Sequence, residues 1–158
     1  MRLAKLPAIE GIWQGHKSLI DPDAAHNTTP DMIANLEEGW TQWSPWNDPK
    51  YRISYSGPKE GVGAMSHWED NGKNQMTVVK ADPKTGAEYD LVMMNESFRM
   101  KSSLLCEARG GQTEVTWSDD VDYGNHLYWR YFGLMIDGPL GSQMEQGLAN
   151  LKTKAERR

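Results

Sequence analysis

The chain holds one cysteine, Cys106, among its 158 residues. That excludes an intrachain disulfide and fits a reducing compartment. No window reaches 18 consecutive apolar residues, so no membrane-spanning helix is expected. Arg2 and Lys5 are followed by Pro7, Glu10 and Gly11 rather than by an apolar stretch, which argues against a signal peptide. The expected location is cytoplasmic. Positive charge is scarce: 17 basic residues face 22 acidic ones, a net charge of −5. A nucleic-acid role needs a clustered basic footprint, and none is present. The one basic group, Lys152, Lys154, Arg157 and Arg158, suits the C-terminal end of a helix.

Catalytic and metal signatures are also missing. There is no G-x-S-x-G and no P-loop, because the glycines of GPKEGVG (Gly57–Gly63) lack the following lysine and helix. His16, His26, His67 and His126 stand at no metal-ligand spacing from one another or from Cys106. The acidic run SDDVD, with Asp119, Asp120 and Asp122, lacks the glycine turn and terminal glutamate of a calcium loop. It reads as a solvated loop, one aspartate capping the next helix. No metal and no other cofactor is expected. There are no internal repeats and no low-complexity segments.

What is present is a surplus of wide, polarizable side chains: 7 Trp and 9 Met beside only 2 Phe. Such residues fill irregular cores, and they also line adaptable apolar pockets. At 38% hydrophobic and 25% charged the composition is that of a globular chain. Its length suits a single domain over 1–158, with residues 1–10 a loose lead-in.

A first strand is expected within Gly11–Ile20, then a loop over Asp21–Asn27. A helix follows, capped by Thr28 or Thr29, with Pro30 at its first position and Gly39 at its end. In GWTQWSPW, Trp40, Trp43 and Trp46 recur at spacing three, and Ser44-Pro45 limits that helix to a short turn. From Tyr51 to Asp119, alternating residues are punctuated by Gly57-Pro58, Asn71-Gly72, Asp82-Pro83 and Gly110-Gly111. The implied strands are 51–56, 63–69, 74–81, 87–94, 98–108 and 112–118, antiparallel neighbours in a meander. His126 to Arg158 reads as a long helix that Pro139 should kink or restart, with a stripe at Leu140, Met144, Leu148 and Leu151. Strands followed by one long helix make an α+β layout.

Several segments in this order resemble the polyketide cyclase/dehydrase and lipid-transport group of the START/Bet v1-like (SRPBCC) superfamily. They are WTQWSPW (Trp40–Trp46), YSGPKEGVGA (Tyr55–Ala64), HWEDN (His67–Asn71), ADPKTGAEYDL (Ala81–Leu91), GQTEVTW (Gly111–Trp117) and EQGLANLK (Glu145–Lys152). The resemblance covers about three quarters of the chain, and residues 1–39 match poorly. It implies a helix-grip fold: a seven-stranded curved antiparallel sheet wrapped around a long C-terminal helix, with two short helices after the first strand and a cavity between sheet and helix.

Within that frame, strand parity sends Met76, Val78, Tyr89, Leu91, Met93, Leu104, Cys106, Val115 and Trp117 toward the helix. Tyr128, Phe132, Met135 and Met144 face back. These residues, Cys106 excepted, are the candidate ligand contacts; the alternative is a closed core in which they only pack. Cys106 reads as an inert buried thiol. His67 and Tyr89 are the candidate proton-transfer groups, with a solvent-facing His67 as the alternative. Tyr89, Tyr128 or Ser102 would orient a guest. Trp40, Trp43 and Trp46 either edge the cavity or plug the short helices onto the sheet. The leading expectation is a protein that binds a lipid-like or polycyclic apolar molecule. A cyclase/dehydrase-like enzyme using the same cavity and a regulatory interaction module are the alternatives. A monomer and a homodimer are both open.

Overall fold

The computed structural model describes the backbone of residues 11–20, 33–109, 112–122 and 127–156. Side chains are described over 33–108, 112–122 and 139–156. The lead-in 1–10, the loop 21–27 and the capping residues Thr28, Thr29 and Pro30 lie outside that set, as do His26 and His126.

Among the described residues seven strands form one antiparallel sheet: β1 (Gly11–Ile20), β2 (Ser54–Ser56), β3 (Met65–Glu69), β4 (Lys73–Asp82), β5 (Gly86–Met93), β6 (Phe98–Arg109) and β7 (Gln112–Asp122). Their spatial order is β1-β7-β6-β5-β4-β3-β2. The meander arises because each pair of alternating segments is joined by a tight turn, which allows only antiparallel pairing. Asn71 and Gly72 close β3–β4 with positive φ, as a short hairpin loop demands. Gly86 is compulsory at the start of β5: its φ is +108°, and a Cβ there would meet the Leu104 carbonyl oxygen at 1.9 Å. The first strand closes the sheet against β7, from Gly11 opposite Val121 to Ile20 opposite Thr113.

The helical segment between β1 and β2 differs from the expected one. A π-helical turn, Leu36–Trp40, runs directly into the α-helical turn α1 (Thr41–Trp43). Its N-cap is Asn35, whose side chain accepts from Glu38 N at 2.9 Å. Gly39 therefore lies buried inside the helical segment rather than ending it. The acidic run is the second correction. Asp119, Asp120 and Asp122 continue β7 instead of forming a loop, because their pairing with Ser102, Lys101 and Arg99 on β6 extends the ladder. The long helix α2 (Leu127–Glu156) contains Pro139 without interruption, so the expected restart does not occur.

The core lies between the sheet's inner face and α2. From the helix, Met144, Leu148, Leu151 and Ala155 are buried against it. Gly147 is where helix and sheet come closest: a Cβ there would meet the Trp117 ring at 2.7 Å and Pro45 at 3.0 Å. That approach shuts one end of the space between them.

Candidate ligand cavity

Reading the inner face across the strands, residue by residue, divides it into rows. One row runs Tyr55–Ser66–Met76–Leu91–Met100–Val121. All six residues line a cavity of about 520 Å³. One step toward the β3–β4 and β5–β6 turns, Trp68, Met93 and Phe98 continue the wall. Facing them are Leu36, Trp40 and Trp46 from the helical segment and its following loop, and Leu140 from α2. Volumes of roughly 300–1,000 Å³ with mostly apolar walls are characteristic of small-molecule sites.

One step the other way, the row Val78–Tyr89–Ser102–Asp119 is buried throughout. The next, with Ala87, Leu104 and Trp117, is buried as well, and Cys106 and Val115 follow. Here the gap is filled by aromatic rings. Trp40, Trp43 and Trp46 all meet Trp117 edge to face, with ring centroids 5.7, 5.6 and 5.2 Å away. Edge-to-face contacts at such distances add to the gain from burial. Trp43 is a plug, 1% exposed. Trp40 and Trp46 do both jobs, packing on Trp117 and presenting a face to the cavity.

The expected contacts therefore separate. Met76, Leu91 and Met93 stand on the cavity wall. Val78, Tyr89, Leu104, Val115, Trp117 and Met144 point inward but are packed in the closed half, where the tryptophans and Gly147 leave no room. The side chains of Tyr128, Phe132 and Met135 lie outside the described residues. Wall residues that the sequence reading passed over include Tyr55, Ser66, Trp68, Met94, Phe98 and Met100. The hairpin signal Asn71-Gly72 sets Trp68 opposite Asn74 and hence Ser66 opposite Met76. That register was the available clue.

The two proton-transfer candidates are placed differently. Ser66 and Trp68 face the cavity, so alternation turns His67 to the outer face, where Nε2 lies 2.7 Å from Ser56 Oγ. Tyr89 is buried and donates to the Ile33 carbonyl at 2.7 Å. Burial, with a smaller contribution from Cys106, pushes its phenol well above the ordinary range, so it is held as a neutral structural donor. Ser102 is likewise engaged, accepting from Trp117 Nε1 at 3.0 Å.

The same indole N–H also reaches Asp119 Oδ1 at 3.1 Å, while Oδ2 is buried with no partner among the described residues. Burial raises the Asp119 carboxyl above its ordinary 3.8, with the bonds from Ser102 and Trp117 pulling the other way. Asp119 is not on the cavity wall.

The mouth is polar and stitched. Tyr51 donates to Asp70 at 3.0 Å, and Trp46 Nε1 donates to Gln143 of α2 at 2.7 Å. The Asn74 amide donates to the carbonyls of Trp68, Asp70 and Gly72, while its oxygen accepts from Met94 N at 3.0 Å. Met94, Asn95 and Glu96 all have positive φ, a costly turn that this clamp holds in place. A smaller pocket of about 260 Å³ lies across Tyr55, beside the Gly57–Gly63 loop. That loop thus borders the side pocket. Among the described residues no cluster of three or more potential ligands could hold a metal ion, and no helix is long and apolar enough to cross a membrane.

Comparison with known proteins agrees with this architecture. The KanY protein, known from a solution structure, superposes with a TM-score of 0.61 at 16% identity, covering 96% of this chain and 99% of its own. Norcoclaurine synthase of Thalictrum flavum gives 0.61 at 10%, covering 96% and 99%. The di-domain aromatase/cyclase StfQ of the steffimycin pathway gives 0.63 at 10%, covering 94% of this chain and 51% of that one. At these identities the likeness concerns the fold. No match is found among curated proteins. The family model described as "Polyketide cyclase / dehydrase and lipid transport" matches residues 23–156, and the chain belongs to that family, with the Bet v1-like helix-grip fold.

Proposed function

We propose that this protein binds a hydrophobic, ring-containing small molecule in the cavity between its sheet and α2. The observation that carries the reading is the composition of the wall: Trp40, Trp46, Trp68 and Phe98 supply flat faces, and Met76, Met93 and Met100 supply deformable ones. Shielding roughly 200 Å² of apolar guest surface is worth about 5 kcal/mol before the cost of association. The family's description, which names both cyclases and lipid transport, is compatible with such a guest.

Binding is favoured over turnover by where the ionisable groups lie. A cyclase would need a shielded acid or base facing its substrate. Among the described wall residues, Asp48, Lys50 and Asp70 are the charged ones, and their side chains stand at the exposed mouth. Asp119 and Tyr89 are shielded but lie off the wall.

The test is uptake of an environment-sensitive dye such as anilinonaphthalene sulfonate, compared between the wild type and Leu91→Trp, which would put a larger ring in the middle of the cavity floor. Blue-shifted emission in the wild type and markedly weaker dye binding by a folded Leu91→Trp protein are expected. Equal dye binding by both proteins would place the dye elsewhere and end the proposal.

A further inference from the structure

We propose that Ser66 is the polar anchor of the cavity, the side chain that selects guests carrying a hydroxyl or carbonyl at their buried end. The inference rests on the binding reading above and adds to it a specificity-determining residue.

Three observations point there. First, the polar side chains at the mouth already have protein partners. Thr41 donates to Glu37 O, Asn47 donates to Thr41 O, and Ser44 Oγ accepts from Trp46 N. Asp48 holds Lys50, and the Tyr51–Asp70 and Trp46–Gln143 bonds account for the others.

Second, Ser66 is 5% exposed, lines the cavity, and its hydroxyl takes part in none of the hydrogen bonds among the described residues. A hydroxyl that faces the cavity without a protein partner is left to meet water or a guest. Third, its row is otherwise apolar from Met76 through Leu91 and Met100 to Val121. A single hydroxyl at one end of an apolar floor distinguishes the two ends of a guest. Tyr55, across the strand from Ser66, does not compete for the role. It is only half-buried and also borders the smaller pocket, where Glu37 stands.

The chemistry asks only for a hydrogen bond. Ser66 Oγ–H donates to a ligand carbonyl or hydroxyl oxygen, or its oxygen accepts from a ligand hydroxyl. No bond is made or broken.

The experiment is displacement of bound anilinonaphthalene sulfonate by two guests of one shape, naphthalene and β-naphthol, from wild type, Ser66→Ala and Ser66→Thr. Ser66→Ala should weaken β-naphthol about tenfold while changing naphthalene by no more than about twofold. Ser66→Thr, which restores a hydroxyl, should recover most of the preference. Equal effects of Ser66→Ala on both guests, or on neither, would overturn the anchor while leaving the cavity standing. A wild type from which neither guest displaces the dye would overturn the cavity reading, and the anchor with it.

Discussion

The two halves of the sheet's inner face follow the same alternation yet end in opposite states. Toward the β4–β5 turn, Val78, Leu104, Val115 and Trp117 are each 0% exposed within the tryptophan cluster. Toward the β3–β4 and β5–β6 turns, Met76, Leu91, Met93 and Met100 front an open space. The difference is made by what faces the sheet. Trp43 and the Gly147 turn of α2 bring the opposing layer into contact in one half. In the other, Trp40 and Trp46 stand back as walls. Stability is concentrated in the first half, and room for a guest in the second.

Truncating the keystone of the packed half should have the largest effect. Trp117→Ala removes the ring that Trp40, Trp43 and Trp46 all touch and should cost about 3–5 kcal/mol by urea denaturation. Met76→Ala, on the cavity floor, should cost less, about 2 kcal/mol, the low end for a buried methionine, because its side chain already borders empty space. Equal losses would erase the distinction between the halves.

Gly147→Ala probes the point of closure. The added methyl improves helix propensity by up to about 1 kcal/mol but presses on Trp117 and Pro45, so a net loss of about 1–2 kcal/mol is expected, seen as a lowered thermal midpoint. A stabilised variant would show that helix and sheet are not in tight contact there.

A smaller, pH-dependent effect concerns Asp119. Its folded-state carboxyl is raised above 3.8, so its favourable contribution is complete below that value and lost as pH rises through the raised one. Asp119→Asn cannot ionise and escapes that loss. Relative to wild type it should therefore gain stability between acid and neutral pH in paired urea titrations. A difference independent of pH would mean that the carboxyl titrates normally.

Much of this architecture is legible in the sequence. Alternation and turn residues identify the strands of the meander, since Asn71-Gly72 and Gly110-Gly111 leave few other pairings. Leu140, Met144, Leu148 and Leu151 mark the face of α2. The cavity wall is harder to see. Parity shows that Val78 and Met76 both point inward, but not which of them meets a facing ring and which meets space. That depends on the Trp40–Trp46 segment, whose π-helical turn has no distinct sequence signature. Ser66 was hidden for a related reason: beside His67 it looks like an ordinary polar strand residue until the Tyr55–Ser66–Met76 register is known. Asp119 was misplaced because three aspartates in four positions resemble a loop, whereas strand pairing buries one of them.

The methionine methyl groups offer the most direct test. With methyl-labelled methionine, a carbon–proton correlation spectrum recorded during titration with naphthalene samples both halves at once. Met76, Met93, Met94 and Met100 on the cavity wall should shift with a common saturation curve, while buried Met144 and outward-facing Met65 stay in place. Unmoved wall methyls, or shifts confined to Met65 and Met144, would contradict the hollow half and the binding function built on it.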